Sequence, residues 1–201
     1  SGEYVFNDNG EHMLDFDNEC IYTLTKWNDI DLHPPRYTYV DPQFIGIDET
    51  TFLTVYNYDN GISELIIYNY EPSINNSGKT ILNVGGFNCS YDLALRWAIY
   101  DFNTSQNDYR FIIEDYTEEF GWETINEGAE QQAALIKYFN DGNAPDVYYG
   151  NQFDYSGFYE SGMTVDILQY SDNAFIDRLN SITPNIKELM IDDEGACYRL
   201  F

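Results

Sequence analysis

The sequence predicts an α/β fold with a mainly parallel sheet, preceded by a region of antiparallel β-hairpins. Three observations carry this. Between residues 80 and 150, three β-rich runs alternate with two helical patterns, the signature of βαβ units. Before residue 71, runs of alternating character flank Asn-Gly pairs, the strongest short-range hairpin signal. Between them, Pro72-Ser-Ile-Asn-Asn-Ser-Gly78 reads as a polar linker. The expected domains are 1–75, the hairpin region, and 76–201, the α/β lobe.

In the hairpin region, Glu3-Tyr-Val-Phe6 and His12-Met-Leu-Asp-Phe16 flank Asn7-Asp-Asn-Gly10. Ile21-Tyr-Thr-Leu24 reads as a further strand, and residues 28–42, with three prolines, as a long loop. Phe52–Tyr58 and Ser63–Tyr70 flank Asp59-Asn-Gly61, where Asn-Gly is expected to supply the positive φ angles of a tight turn. Two hairpins of one style suggest a repeat. Propeller blades run about 40–50 residues each, so one or two blades fit here, too few to close a ring.

In the α/β part, Thr80-Ile-Leu-Asn-Val-Gly-Gly86 is the first strand, closed by a glycine pair that lets the chain turn sharply. Ser90 is placed to cap the next helix, where Leu95, Ala98, Ile99 and Phe102 recur at helical spacing. Tyr109-Arg-Phe-Ile-Ile113 is the second strand. Ala129, Ala133 and Ile136, with Leu135 and Phe139, mark a helix ending at Asn140-Asp-Gly142, and Pro145-Asp-Val-Tyr-Tyr149 is the third strand. Beyond Gly150 the signals weaken. A short helix is expected over 155–159, an extended or turn segment over 165–168, short helices over 175–182 and 185–190, and a strand-like run over 196–201.

Composition excludes several classes. Of the 201 residues, 9 are Lys or Arg and 35 are Asp or Glu, a formal charge of -26. Such a surface repels phosphate backbones and anionic lipid heads, so nucleic acid is not an expected partner. An aromatic content of 17% sets the chain apart from disordered acidic sequences. No apolar run approaches the ~20 residues of a membrane span, and no signal peptide is recognisable. Ser1-Gly2 and the abrupt end at Phe201 lead us to expect a piece of a longer protein.

No arrangement of catalytic type emerges. Cys20, Cys89 and Cys197 are an odd, widely spaced set, neither a disulfide framework nor a metal site. His12 and His33 are isolated and read as surface residues. Glu114, Asp115, Glu118 and Glu119 are an acidic cluster of the kind a strongly acidic chain contains by chance. The run 101–108 has calcium-loop oxygens but lacks the glycine and glutamate such a loop requires. GxGxxG and the P-loop lysine are both missing near Gly85-Gly86. The expectation is no enzyme, no cofactor and no metal.

Three segments together carry a resemblance: Leu82-Asn-Val-Gly-Gly-Phe-Asn88, residues 94–103 ending in Asp101-Phe-Asn103, and Phe139-Asn-Asp-Gly-Asn-Ala-Pro-Asp-Val147. In order and spacing they resemble lobe I of the extracellular solute-binding proteins that serve ABC importers, particularly the carbohydrate-type family. Gly162-Met-Thr-Val-Asp-Ile167 and Glu194-Gly-Ala-Cys-Tyr198 resemble later segments of that lobe. The resemblance covers about residues 80–201. The family's second lobe and its lipidated N-terminal cysteine are not in this sequence, and residues 1–75 resemble a propeller-like blade. The resemblance implies a periplasmic-binding-protein-like lobe and capture of a small solute, expected to be an oligosaccharide, for an ABC permease in the membrane. It also implies an extracellular location, with the full-length protein anchored as a lipoprotein. The alternatives are an extracellular sensor or adhesion module whose β region binds a partner, and a secreted glycoside-active enzyme.

Parallel sheets place ligands at the carboxyl ends of their strands. The crevice is therefore expected at residues 87–90, 116–122 and 150–153. Sugars are held by aromatic faces and by amides. The candidate ligand-binding residues are Phe87, Asn88, Tyr116, Trp122, Asn151, Gln152 and Phe153.

Overall fold

A computed structural model describes residues 2–7, 10–26, 30–36, 41–48, 50–69, 78–120, 129–150, 158–159, 161–198 and 200. They form a mixed α/β structure whose described strands make two antiparallel sheets and one parallel sheet. The chain divides into two compact units, 1–151 and 152–201. The expected linker over 72–78 lies, except for Gly78, outside the described residues.

In the first sheet, β1 (Gly2–Asn7), β2 (Gly10–Asp15) and β3 (Cys20–Lys26) pair antiparallel in that order. The Asp15 carboxylate accepts from the amides of Asp17 and Asn18 at 3.0 and 3.2 Å, which turns the chain from β2 into β3. In the second sheet, β4 (Gln43–Asp48), β5 (Thr51–Asn57) and β6 (Ser63–Asn69) are likewise antiparallel. The sequence patterns show β5 and β6 but not β4, where Pro42 and Gly46 interrupt the alternation. The turn from β5 to β6 differs from the expected one. Only Gly61 is left-handed, at φ 79°, while Asn60 uses its side chain to accept from the Ile62 amide at 3.0 Å. Phe52, Thr54 and Tyr56 are buried on one face of β5, with Phe52 stacked on Tyr68 at 4.8 Å. Phe6 of β1 stacks on Phe44 of β4 at 5.3 Å and so joins the two sheets.

The third sheet is parallel. β7 (Thr80–Gly86) lies between β8 (Tyr109–Asp115) and β9 (Val147–Tyr149). This second-first-third order is that of doubly wound folds, whose connections reverse direction between the first and third strands. α1 (Leu93–Ser105) links β7 to β8, and α2 (Thr117–Phe120) and α3 (Ala129–Tyr138) follow β8. A π-type turn over Phe139–Asn143 ends α3, with Gly142 at φ 97°. Ser90 does not cap α1. Asp92 does, accepting from the Leu95 amide at 3.0 Å. Neither glycine of the 85–86 pair makes a turn, since both are extended in β7. They allow close approach: a Cβ on Gly85 would lie 2.2 Å from the Tyr116 hydroxyl, and one on Gly86 2.1 Å from the Tyr149 carbonyl.

Residues 30–36 tie the hairpins to this lobe. The carbonyl of His33 accepts from the Tyr56 hydroxyl, and its amide donates to the Tyr68 hydroxyl, both at 2.8 Å. The His33 ring meets Trp97 and Tyr100 of α1 edge-on, at 4.7 and 5.1 Å, so it is half-buried rather than a surface residue. Pro34 and Pro35 are fully buried, and the Pro35 carbonyl accepts from the Trp97 indole at 3.2 Å. Asp31 completes the joint. Its Oδ1 accepts from Asn103 Nδ2 at 2.7 Å and from Arg110 Nε at 3.1 Å.

In the second unit, α4 (Asn173–Ser181) and α5 (Pro184–Met190) close on Leu179, Met190 and Cys197, with Ile167, Leu168 and Phe175 packed around them. Among the described residues of the expected strand over 196–201, Cys197 forms one bridge, to Ile191, beyond a turn in which Asp192 Oδ1 accepts from the amides of Glu194 and Ala196. Asp166 accepts from the Leu168 and Cys197 amides and so pins the turn Ile167–Gln169 to that bridge.

Removing one partner of a buried ion pair strands the other charge. The Arg110 side chain is only 4% exposed and that of Asp31 15%. Asp31→Ala should therefore cost ~3–5 kcal/mol of stability by urea denaturation, and Asp31→Asn less, because its amide oxygen still accepts from Asn103. A loss below ~1 kcal/mol for Asp31→Ala would show that the joint adds nothing to the fold.

Candidate functional site

The carboxyl edge of the parallel sheet is built around Asp115, the last residue of β8. Its Oδ1 accepts from the amides of Asn88 and Thr117 at 3.1 and 3.0 Å, and its Oδ2 from the Ser90 amide at 2.8 Å. The chain leaving β7 is thus wrapped onto the end of β8. Asn88 supports this by adopting a left-handed conformation, φ 54° and ψ 19°, which asparagine tolerates better than most residues. Burial works to raise the Asp115 pKa. Hydrogen bonds from Thr117 and Ser90 outweigh it and hold the carboxyl below its usual range.

A second carboxylate closes the next position. Asp92 caps α1 through the Leu95 amide and also accepts from the Tyr149 hydroxyl at 2.7 Å. The Leu95 amide and then the tyrosine lower its pKa, while the bond to Asp92 pushes that of Tyr149 up to about 12. This bond joins the end of β9 to the start of α1, across the point where the strand connections reverse. At the far end of β9, Asp146 accepts from the Asn83 amide of β7 at 2.8 Å. The aspartate of the Gly-Asn-Ala-Pro-Asp run therefore fixes β9 on its neighbour.

Cys89 lies beneath this edge, fully buried, with its thiol directed at the Gly86 carbonyl at 3.3 Å. Burial pushes its pKa up to about 12, so it stays a thiol at neutral pH. No group of three metal-binding side chains occurs among the described residues. No helix of the described residues is long and apolar enough to cross a membrane.

The candidate ligand residues fall into three groups. Asn88 lies exposed on the carboxyl edge, as expected. Phe87 and Tyr116 reach the same edge, but their rings are 4% and 1% exposed. Tyr116 centres an aromatic cluster, 6.0 Å from Phe87, 6.2 Å from Phe120, 6.0 Å from Tyr138 and 5.8 Å from Phe139. In this structure both rings build the lobe's own core, where Gly85 leaves room for the Tyr116 hydroxyl. Trp122, Asn151, Gln152 and Phe153 lie outside the described residues. Sequence reasoning missed the roles of Asp92, Asp115, Thr117 and Tyr149. An aspartate three residues ahead of Leu95 is the one cap signal that pointed to any of them.

A half-open cavity of about 200 Å³ lies elsewhere in the first unit, among Asp31, Arg96, Tyr100, Asn103 and Arg110 with Ile99 and Ile113. Asn103 is 1% exposed, and its amide already bonds Asp31 and both backbone groups of Phe111. Arg110 bonds Asp31 and the Ile30 carbonyl. These three side chains bond one another and so join the segment 30–36 to α1 and β8.

Comparison with protein-family models, curated proteins and solved structures returns no match for this chain.

The edge yields two expected outcomes. Asp115 has a folded-state pKa below its unfolded value. Its stabilisation is present above the unfolded pKa, about 3.9, and is lost as pH falls through the lower folded value. Asp115→Asn should cost ~1–3 kcal/mol at pH 7, and the gap to wild type should narrow in urea titrations near pH 3. An equal gap at both pH values would mean that the charge is not what matters. Separately, Tyr116→Ala should cost ~3–5 kcal/mol in the same assay, whereas Tyr116→Phe should cost much less. A loss below ~1 kcal/mol for the alanine variant would release Tyr116 from its core role.

Proposed function

We propose that the α/β lobe captures a neutral polar solute, an oligosaccharide in the first instance, as part of an extracellular solute-binding component of an ABC importer. The single observation that carries this reading is the state of the carboxyl edge. In doubly wound folds an anion is bound there by free amides at helix N-termini. Here the 3-10 turn Cys89–Tyr91 and helix α1 each meet a carboxylate of the chain itself, Asp115 and Asp92. Phosphorylated or carboxylated solutes would meet two fixed negative charges in a chain of charge -26. A polyol would meet Asn88, Thr117 and the Asp92–Tyr149 pair, which offer donors and acceptors to hydroxyl groups.

The strand order and the run Gly142-Asn-Ala-Pro-Asp146 support a periplasmic-binding-protein-like lobe. In such proteins two lobes close on the solute by a hinge movement, and an ABC permease then receives it. One sheet edge covers one side of a sugar, so this chain by itself is expected to bind weakly. Tight sites cover most of a ligand's surface.

A thermal-shift screen of the full-length protein tests the reading, because a ligand of the native state raises the melting temperature. Neutral oligosaccharides should raise it, while their phosphorylated or uronic-acid counterparts should not. A shift with the anionic set alone would overturn the proposal. Calorimetry on the 201-residue chain should find no micromolar site, and a micromolar site there would refute the one-sided edge.

A further inference from the structure

The outer edge of β8 is capped by side-chain amides. The even-numbered residues of this strand face β7: the Asp108 carbonyl accepts from the Thr80 amide, and the Tyr116 amide donates to the Gly86 carbonyl. The odd-numbered residues therefore turn their N–H and C=O groups off the sheet. At Tyr109 one side chain meets both. Gln106 Oε1 accepts from the Tyr109 amide at 2.8 Å, and Gln106 Nε2 donates to the Tyr109 carbonyl at 2.6 Å. At Phe111 the Asn103 side chain does the same, at 2.8 and 2.9 Å. A carboxamide suits this edge because its N–H and C=O lie side by side and match those of one extended residue.

Ile113 is the next position in this series. Among the described residues no side chain bonds its amide or its carbonyl. One helical turn before Asn103, α1 carries Ile99 and Tyr100 in place of an amide. Both line the half-open cavity of about 200 Å³, together with Leu32, Pro34 and Ile113. An outward N–H and C=O pair thus stands beside a small cavity with aliphatic walls.

We propose that this cavity binds a small primary carboxamide, whose N–H donates to the Ile113 carbonyl and whose oxygen accepts from the Ile113 amide. Its alkyl part lies against Leu32, Pro34 and Ile99. The strand selects the class, as it does twice already with Gln106 and Asn103. A carboxylate accepts but cannot donate to the Ile113 carbonyl. A hydroxyl offers a single oxygen where the edge presents two groups. A trans secondary amide points its N–H and C=O in opposite directions. The volume is below the ~300–1,000 Å³ of drug-sized sites, so the ligand has few atoms. The site uses none of the groups offered to a polyol at the carboxyl edge and does not rest on that reading.

Amide NMR spectra of the isotope-labelled 201-residue chain, titrated with propionamide, test this. The Ile113 amide proton should move downfield and saturate, with a Kd on the order of 10 mM, since so few atoms gain little on binding. Propionate and N-methylpropionamide should leave it in place. Ile113→Pro removes the outward N–H, at a position where an edge strand tolerates proline, and should weaken binding about tenfold or more, read from the Phe111 amide. Should that variant misfold by circular dichroism, the ligand series on the unmodified chain decides alone. The absence of a saturable shift at Ile113 overturns the proposal. So does an equal shift with propionate or N-methylpropionamide, or an undiminished affinity in a folded Ile113→Pro chain.

Discussion

The first unit depends on one carboxylate, that of Asp31, held between Arg110 and Asn103. Arg110 is 3% exposed, and a guanidinium that deep is tolerated only when paired. Asn103 passes the connection on, since its amide also bonds both backbone groups of Phe111 in β8. A single side chain thereby couples the segment 30–36, helix α1 and strand β8. Two residues further on, His33 is bonded through its backbone to Tyr56 and Tyr68 of the hairpin sheet. The hairpins and the lobe thus share one joint within the first unit.

Much of this architecture was legible, because periodicity is a local property. β5 and β6 alternate around an Asn-Gly pair, and Thr80–Gly86, Tyr109–Asp115 and Val147–Tyr149 lie where β-rich runs alternate with helical spacing. The joint was not legible. Asp31 and Arg110 are 79 residues apart, and nothing near either one marks it as half of a pair. The polar face of α1 that bears Arg96, Tyr100 and Asn103 was hidden because apolar spacing drew attention to Leu95 and Phe102. The proline run at 34–35 read as a loop, and it is one, but both prolines are buried. Composition reports a segment's conformation better than its burial.

The candidate site divides along the same line. That loops at the carboxyl ends would gather was readable from the βαβ order alone. Which side chains face outward was not. Phe87 and Tyr116 lie at the right edge but turn inward, because Gly85 opens a gap in β7 that the Tyr116 ring fills. A glycine pair at the end of a strand invites a turn reading. Here it marks the place where a neighbouring side chain and a neighbouring carbonyl come too close for any Cβ. Asn88 is exposed because the turn needs a residue that accepts φ 54°, and that same conformation presents its amide at the rim.

Charge then orders the whole chain. With 9 basic residues against 35 acidic ones, most carboxylates have no cation to meet. The structure satisfies several of them with backbone amides instead: Asp15, Asp92, Asp115, Asp166 and Asp192 each close a turn or cap a helix. These bonds consume the same amides that would otherwise attract an anion. Three of the nine basic residues, by contrast, lie where the hairpins meet the lobe. Lys79 donates to the Asn103 carbonyl at 2.5 Å near the end of α1, and Arg96 and Arg110 line the cavity beside it. A chain of charge -26 thus spends Lys79 and Arg110, two of its few cations, on this joint.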